Sequence, residues 1–284
     1  MNLKNVLAKR LSGPVHKLSE RDCILFALGI GMGGDGEGAA DLPYLYEKDL
    51  KCFPAMMNVL SHPGPWIMDP ECDFDWVRML HSDQGFVVHK PLQPGRSYQA
   101  DYRFTDVIDK GKEKGALLHM EKQLRDAETD ELVGTVHSTL FMRGDGGCGS
   151  TRTDSPAPVT MPDRAPDHTH TLPISSRAAM IYRLSGDYNP LHIDPKVAAK
   201  AGFDKPILHG LCSMAMAARA VIATCCDDDP QRLGALKVRF SSPVYPGETL
   251  ATDLWREADR VVFQTRSVER GIIVMSQGVA GITG

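Results

Sequence analysis

The chain has 284 residues and a formal net charge of −4 at pH 7, with 42% hydrophobic and 24% charged residues. That length can bury a substantial core, as one large domain or as two domains of about 140 residues each. The slightly acidic balance gives no general attraction to nucleic acid, and the apolar runs are too short to cross a bilayer, so neither partner is expected.

The seven cysteines indicate a reducing compartment. Their number is odd and no two have Cys-x-x-Cys spacing, which favours free thiols over a disulfide framework. The histidines show no zinc-ligand spacing, and we interpret His168 and His170 as part of a solvated linker, so no metal is expected. A cytoplasmic protein is predicted. A peroxisomal location is the alternative, although the sequence ends in Gly-Ile-Thr-Gly without a Ser-Lys-Leu type signal.

The first half begins with a capped helix and a glycine-rich run. Ser19 has an acidic residue three positions later, the pattern of a capping box, and residues 23–28 are mostly apolar. Residues 29–34 then match the G-x-G-x-x-G pattern of a dinucleotide loop. That pattern requires a preceding strand, whereas a helix precedes it here, and the carboxylates of Asp35 and Glu37 would repel a pyrophosphate. We interpret the run as a mobile loop.

Strands follow from Gly85 onward, separated by turns rich in Gly and Asp. They are predicted at residues 86–90, 98–108, 116–124 and 132–142. Residues 146–170 are rich in Gly and Pro and are interpreted as a linker, which divides the chain into domains 1–145 and 171–284.

The second half contains a short helix, a long apolar helix and four strands. The short helix is predicted at residues 196–201 and the long one from residue 211 to about residue 224. The strands are predicted at residues 236–240, 249–257, 261–269 and 272–282.

The two halves repeat in outline. A Pro-x-x-Pro-Gly sequence at residues 91–95 recurs 152 residues later, and three strands follow each copy. Each half therefore has an α+β layout with an antiparallel sheet, as in a duplicated domain. At the same offset Asp187 and His192 correspond to Asp35 and Ala40, so only the second half has an acid and an imidazole.

The turn at residues 186–195 carries the candidate chemistry. It reads Gly-Asp-Tyr-Asn-Pro-Leu-His-Ile-Asp-Pro. Asp187 and His192 can face one water molecule across this turn, and an imidazole can take or give a proton near neutral pH. Asn189 can donate to the same water or orient the ring. The alternative is that Asp187 and Asn189 only form the turn by bonding local backbone groups.

Gly210 lies at the start of the long apolar helix. The first N–H groups of a helix are unpaired and its dipole is positive there, so a carbonyl oxygen would be polarised and a developing enolate stabilised. Glycine permits the close approach, although a simple N-cap is the alternative. His209 is interpreted as structural. Because the sequence has no Gly-x-Ser-x-Gly, an acyl-serine hydrolase is not expected.

Residues 182–195 and 202–212 together closely resemble the hydratase 2 motif. That motif is the signature of MaoC-like (R)-specific 2-enoyl-CoA hydratases, a family that includes the hydratase part of peroxisomal multifunctional enzyme type 2. Further similar segments lie in the first half at residues 27–31, 46–47, 106–111 and 141–144.

The resemblance implies a double hot-dog fold, in which each half wraps an antiparallel sheet round a central helix. It implies reversible syn addition of water to a trans-2-enoyl-CoA, giving a (3R)-3-hydroxyacyl-CoA in fatty acyl-CoA metabolism. The degenerate first half would shape the acyl pocket. A homodimer is expected, with no cofactor because CoA is part of the substrate.

The resemblance also assigns residues by position. It makes Asp187 and His192 the acid/base pair, with Asn189 holding the water and the Gly210 N–H polarising the thioester carbonyl. We favour His192 for the water proton and Asp187 for C2, and the swap stays open. Glu47 would support the site, with a surface carboxylate as its alternative. Positions expected to bind substrate are His81, Ser82, Lys110, Tyr188, Pro190, Leu191 and Phe240.

One departure from the family pattern lies at residues 81–84. They read His-Ser-Asp-Gln where family members often have His-Gly-Glu-Gln, so Ser82 disfavours a close backbone approach. Two other functions stay open: a hot-dog thioesterase, and a non-catalytic protein that binds acyl thioesters. The non-catalytic protein would be expected to have lost Asp187 or His192.

Overall fold

The computed structural model describes residues 1–34, 38–154 and 157–283. Asp35 and Glu37, the carboxylates after the glycine-rich run, lie outside the described residues, as do positions 155 and 156 of the proposed linker. The α-helices are α1 (Leu3–Ala8), α2 (Glu20–Gly29), α3 (Gly38–Asp41), α4 (Ala178–Tyr182), α5 (Pro195–Lys200) and α6 (Gly210–Cys225). Short 3-10 helices lie at Leu42–Tyr44, Pro54–Asn58, Trp66–Met68, Trp76–Arg78, Arg183–Ser185, Pro190–His192 and Pro230–Arg232.

Antiparallel strands from both halves form one continuous sheet. The strands are β1 (Arg10–Ser12), β2 (His16–Lys17), β3 (Met79–Val88), β4 (Ser97–Asp109), β5 (Ala116–Asp126), β6 (Leu132–Met142), β7 (His168–Pro173), β8 (Leu233–Phe240), β9 (Thr249–Arg256), β10 (Val261–Ser267) and β11 (Ile272–Ile282). Their order is β1-β4-β5-β6-β3-β8-β11-β10-β9-β7, and β2 also pairs with β4. The two halves meet where β3 pairs with β8, for example at Gly85 and Lys237. The order on one side of this junction mirrors the order on the other, as the repeat predicts.

Two strand predictions need correction. β3 begins at Met79 rather than at residue 86, since a β-bulge between His81 and Asp83 accommodates the polar segment. His168 and His170 lie in β7 and pair with β9, so their interpretation as solvated linker is wrong. The last three positions of the proposed linker therefore belong to the sheet.

The expectation of a central helix holds only for the second half. There α6 runs for 16 residues, is almost entirely buried and packs against β7 to β11. In the first half the equivalent buried segment contains only the five-residue 3-10 helix Pro54–Asn58. Pro63 and Pro65 follow shortly after it, and proline cannot continue a helix because it lacks the N–H. Among the described residues, no helix has the length and apolar character needed to span a membrane.

The glycine-rich run is tied to α6. It follows α2, whose capping box at Ser19 is formed as predicted, so the rejection of a nucleotide loop agrees with its context. Arg219 of α6 donates to the Gly31 carbonyl at 2.9 Å and pairs with Asp41 at 2.9 Å, and the Gly33 N–H donates to Asp41 at 2.8 Å. The described part of the run is thus held by hydrogen bonds rather than being a mobile loop.

Candidate active site

The turn at residues 186–195 shapes itself through two local hydrogen bonds. The Asn189 N–H donates to Asp187 Oδ1 at 3.2 Å, and Asn189 Oδ1 accepts from the Leu191 N–H at 3.0 Å, capping the 3-10 helix Pro190–His192. These are the bonds of the turn-forming alternative, which is therefore correct for these two oxygens. Neither bond uses the second carboxylate oxygen of Asp187 or the amide nitrogen of Asn189, so a catalytic role remains open to both.

His192 is held as a neutral base. Its Nδ1 lies 2.9 Å from the Ile207 carbonyl oxygen, and because a carbonyl only accepts, Nδ1 carries the proton and Nε2 keeps its lone pair. The ring is buried, and this desolvation lowers its pKa, although the Ile207 carbonyl and the Asp187 charge oppose the shift. The imidazole can therefore accept a proton through Nε2 near neutral pH.

His209 supports both members of the pair. Its ring stacks on His192 with 3.7 Å between centroids, and its Nε2 donates to the backbone oxygen of Asp187 at 3.1 Å. Tyr182 packs on the same ring. Burial, followed by the neighbouring His192, lowers the pKa of His209 to about 4, so the stack is uncharged. The interpretation of His209 as structural agrees with these contacts, but the sequence does not reveal that it orders the catalytic turn.

The resulting cluster has room for a water molecule. Asp187, His192 and His209 each place one oxygen or nitrogen atom within 4.8 Å of the others. A water about 2.8 Å from each partner fits between atoms at this separation. The same distances would admit a metal ion. Because His192 Nδ1 is engaged with the Ile207 carbonyl oxygen and His209 Nε2 with the Asp187 backbone oxygen, each ring has one nitrogen left, and we interpret the cluster as a water site.

The amino end of α6 opens beside this cluster. His209 is the N-cap and makes no side-chain cap hydrogen bond, so the first N–H groups can receive a ligand oxygen. A Cβ at Gly210 would lie 3.3 Å from the Phe240 ring, and the Phe240 and His81 rings are 5.0 Å apart. The structure thus brings Gly210 together with two of the residues predicted to bind substrate.

Two histidines on first-half segments have lowered pKa values. His81 bonds Gln84 through Nε2 at 2.9 Å, and burial lowers its pKa. The pKa of His62 is also lowered, mainly by desolvation and then by Lys122. The Asp187 charge opposes both shifts. His62 is exposed, and its Nδ1 accepts from the Gly64 N–H at 3.2 Å.

Glu47 lies far from the cluster. It is exposed, and its loop begins beside the buried Tyr44 and ends at Lys51, which pairs with Asp229 at 3.7 Å just beyond the carboxyl end of α6. A helix of 16 residues is about 24 Å long, and Gly210 is at its other end. The structure therefore favours the alternative, a surface carboxylate.

Lys110 is also separate from the cluster. It follows β4, three strands from the β3 strand of His81, or about 14 Å at a spacing of about 4.8 Å per strand. Ser82 lies at the β3 bulge and donates to Asp83 at 2.6 Å, so its hydroxyl is engaged within the strand. Tyr188 and Pro190 are exposed at the turn, Leu191 is half-buried, and the Arg183 guanidinium stacks on Tyr188 at 4.8 Å.

Models of two protein families match the two halves of the chain. Residues 16–144 match the MFE-2 hydratase 2 N-terminal domain, and residues 158–277 match the MaoC like domain. Together the matches include β2 to β6 of the first half and the whole candidate site of the second.

Similar proteins cover nearly the whole chain. Enoyl-CoA hydratase ChsH3 of Mycobacterium tuberculosis is 36% identical over 98% of both sequences. Peroxisomal multifunctional enzyme type 2 of Mus musculus is 37% identical over 91% of the chain, which spans only 35% of that longer relative. The crystal structure of a MaoC-like dehydratase from Phytophthora capsici has a TM-score of 0.85 at 32% identity, covering 100% of this chain and 99% of that one.

The double hot-dog fold is confirmed by a more distant structure. A Mycobacterium tuberculosis protein with that fold matches with a TM-score of 0.55 and 14% identity, over 96% of this chain and 95% of that one. Identity at this level speaks for the fold alone. The α+β class and the two sheet-forming halves thus stand, with the central helix reduced in the first half.

Proposed function

Because the chain belongs to the MaoC-like hydratase 2 family, we propose that it catalyses reversible hydration of a trans-2-enoyl-CoA to the (3R)-3-hydroxyacyl-CoA. Such a protein is a hydro-lyase of fatty acyl-CoA metabolism. The observation that carries the proposal is the clustering of Asp187 and His192 within 4.8 Å of each other and of His209, the N-cap residue of the helix that begins at Gly210.

The amino end of α6 would bind the thioester oxygen. The Gly210 N–H and the helix dipole polarise the carbonyl, which makes C3 electrophilic and stabilises the enolate that forms when oxygen adds there. Glycine favours this approach because a Cβ at this position would lie 3.3 Å from the Phe240 ring. Phe240 and His81 border this position and would limit how the thioester lies.

The acid/base pair must take a proton from water and deliver a proton to C2. His192 is neutral with a free Nε2, so it takes a proton from water while the water oxygen bonds to C3. His192 then passes this proton to Asp187, and Asp187 delivers it to C2, so both groups return to their starting state. Because both groups lie on one side of the substrate, hydroxyl and hydrogen arrive on the same face. Coupled groups titrate as a pair, so the swapped assignment remains to be tested by isotope and pH measurements.

Asn189 would hold the water through its amide nitrogen. Its oxygen is engaged by the Leu191 N–H, which fixes the carboxamide and turns the nitrogen away from that bond. Tyr188, Pro190 and Leu191 would line the approach to the turn. Lys110 would contact only a distant part of CoA, given its place three strands from His81.

The acyl tail would lie against the first half. The buried segment there includes Met56 and Met57, unbranched side chains that adjust to irregular ligands. A Cβ at Gly186 would lie 3.6 Å from the Val59 carbonyl, so this segment reaches the catalytic turn. We therefore assign acyl binding to residues 1–145 and catalysis to the second half, which begins with β7 at His168.

The substrate is an acyl-CoA, and the proposed reaction uses only groups of this chain, with no cofactor and no metal. We propose a homodimer. We propose a cytoplasmic location, with the peroxisome as the alternative that relatives named peroxisomal support.

An acyl-length series of enoyl-CoAs tests the proposal. Hydration predicts loss of enoyl absorbance without free thiol, and chiral analysis should give the 3R product. Release of thiol from saturated acyl-CoA would instead identify a thioesterase. The absence of both hydration and thiol release would indicate a non-catalytic binding protein. If Asp187→Ala and His192→Ala each kept near wild-type hydration of crotonyl-CoA, the proposed pair would be wrong.

A further inference from the structure

A buried lysine in the first half has an unusual set of partners. Lys122 is 2% exposed, and its Nζ donates to the carbonyl oxygens of Met57 at 2.7 Å, Asn58 at 3.3 Å and Leu60 at 2.5 Å. Three carbonyl acceptors match the three N–H groups of an ammonium. Burial lowers the pKa of Lys122 to about 7, and the three carbonyls favour the charged form. No mechanistic step uses this group directly.

The position of Lys122 is explained by the shortened helix. The last carbonyls of a helix lack partners within it, and such groups must be satisfied when buried. The 3-10 helix Pro54–Asn58 ends inside the core, and Lys122 supplies the missing donors there. Tyr102 adds a fourth bond, since its hydroxyl donates to the Ser61 carbonyl at 2.8 Å and its ring lies 5.5 Å from the ammonium. Side chains of β4 and β5 thus hold the backbone at residues 57–61.

Hydrogen bonds lead from this backbone to the candidate site. Asn58 accepts from the Gln84 amide nitrogen at 2.8 Å. The Gln84 oxygen then accepts from Ser138 at 2.6 Å and faces His81 Nε2 at 2.9 Å. Because the Gln84 nitrogen and oxygen are each committed, His81 must be protonated at Nε2. His81 in turn packs on Phe240, which borders Gly210.

We propose that Lys122, Asn58 and Gln84 are positioning residues that hold His81 in one tautomer and orientation beside the thioester-binding end of α6. This inference rests on the proposed function for its consequence in catalysis. His81 packs against the Phe240 ring beside Gly210, and Gln84 fixes the orientation of His81. Lys122 acts indirectly, because it holds the backbone of Asn58, whose side chain bonds Gln84.

The test compares Gln84→Met with Thr265→Val. Gln84→Met keeps the side-chain length but removes the three hydrogen bonds of the Gln84 amide, to Asn58, Ser138 and His81. Thr265 lies on β10, and its fully buried hydroxyl bonds Thr252 of β9 at 3.0 Å. Thr265→Val removes this hydroxyl. We expect Gln84→Met to lower kcat for enoyl-CoA hydration about 10- to 100-fold when assayed well below its Tm. Thr265→Val should keep wild-type kcat.

Nitrogen NMR of the His81 ring separates this inference from the proposed function. The wild-type ring should show a single Nε2–H tautomer, and Gln84→Met should give averaged signals while His192 is unchanged. If the wild-type protein hydrates no enoyl-CoA but Gln84→Met still alters the His81 signals, the positioning is upheld and the proposed function is rejected. Unaltered His81 signals with wild-type kcat in Gln84→Met would overturn the positioning. Lys122→Met should show the same two changes; should it not fold, Asn58→Leu makes the same break.

Discussion

The two halves share a sheet but differ in what the sheet encloses. In the second half α6 runs unbroken for 16 residues and begins at the candidate site. In the first half a five-residue 3-10 helix stands in its place, and a buried lysine satisfies the carbonyls at its end. The mirrored strand order is kept in spite of this change. The sheet therefore preserves the fold, while the enclosed segment decides which half can present an open helix start to a thioester.

The largest expected effect concerns the pair that only the second half has. Asp187→Asn and His192→Ala should each lower kcat about 10²- to 10⁴-fold, the usual contribution of a positioned acid or base. The control is Ala40→Ser, at the position 152 residues before His192, which should leave kcat unchanged. Steady-state hydration assays measure both, and a comparable loss in the control would break the assignment of chemistry to one half.

The ion pair between the halves should dominate stability. Arg219 and Asp41 are both nearly buried, so Arg219→Met leaves an unpaired buried carboxylate and should lower the free energy of unfolding by about 3–5 kcal/mol. The double variant with Asp41→Leu should recover part of this loss. Denaturant unfolding provides the measurement. Arg103→Met, which breaks an exposed pair with Glu121, should change the free energy by less than about 1 kcal/mol; equal losses would contradict this account.

Acid should destabilise the second half through His209. Its folded-state pKa is about 4, below the unfolded value of about 6.5. A depressed pKa contributes stability that is present above the unfolded value and lost as pH falls toward the folded value. The free energy of unfolding should therefore fall by roughly 3 kcal/mol through this group as the pH is lowered from about 6.5 to about 4. The free energy of unfolding should depend less on pH across that range in His209→Phe than in the wild type. Identical pH dependence in the two proteins would refute the role of this ring.

The smallest predicted effect compares two glycines at helix starts. Gly210→Ala places a Cβ 3.3 Å from Phe240 and should lower kcat/KM about tenfold by narrowing the approach to the N–H groups. Gly38→Ala begins α3 in the first half with nothing within 4 Å of the new atom, so kcat/KM should not change. A loss in both variants, or in neither, would remove the special position of Gly210.

Local patterns predicted much of the fold and the turn. The capping box at Ser19 and strands β4, β5 and β6 follow the sequence closely, because capping geometry and alternation are set by neighbouring residues. The start of β3 was missed because residues 81–84 are polar, and in the structure their partners come from other segments. The absent helix of the first half is another long-range outcome, since the family resemblance alone implied a helix there.

Two supporting residues show where sequence reasoning stops. Side chains of β5 alternate between the core and the other face, and Lys122 lies two residues before the buried Leu124. This alternation was a usable signal that Lys122 is buried. Which backbone carbonyls it meets depends on residues more than sixty positions away. His209 gave no comparable signal, because its stacking on His192 arises only when the 202–209 loop folds back over the turn.

The most direct test of the central claim is hydration of crotonyl-CoA in deuterated water, with NMR analysis of both new stereocentres. The closeness of Asp187 and His192 predicts that deuterium at C2 arrives on the same face as the hydroxyl, and the proposed family activity predicts that the product is 3R. It also predicts that His192→Ala forms this product far more slowly. Deuterium on the opposite face, a 3S product, or free CoA in place of the hydroxyacyl thioester would contradict the account.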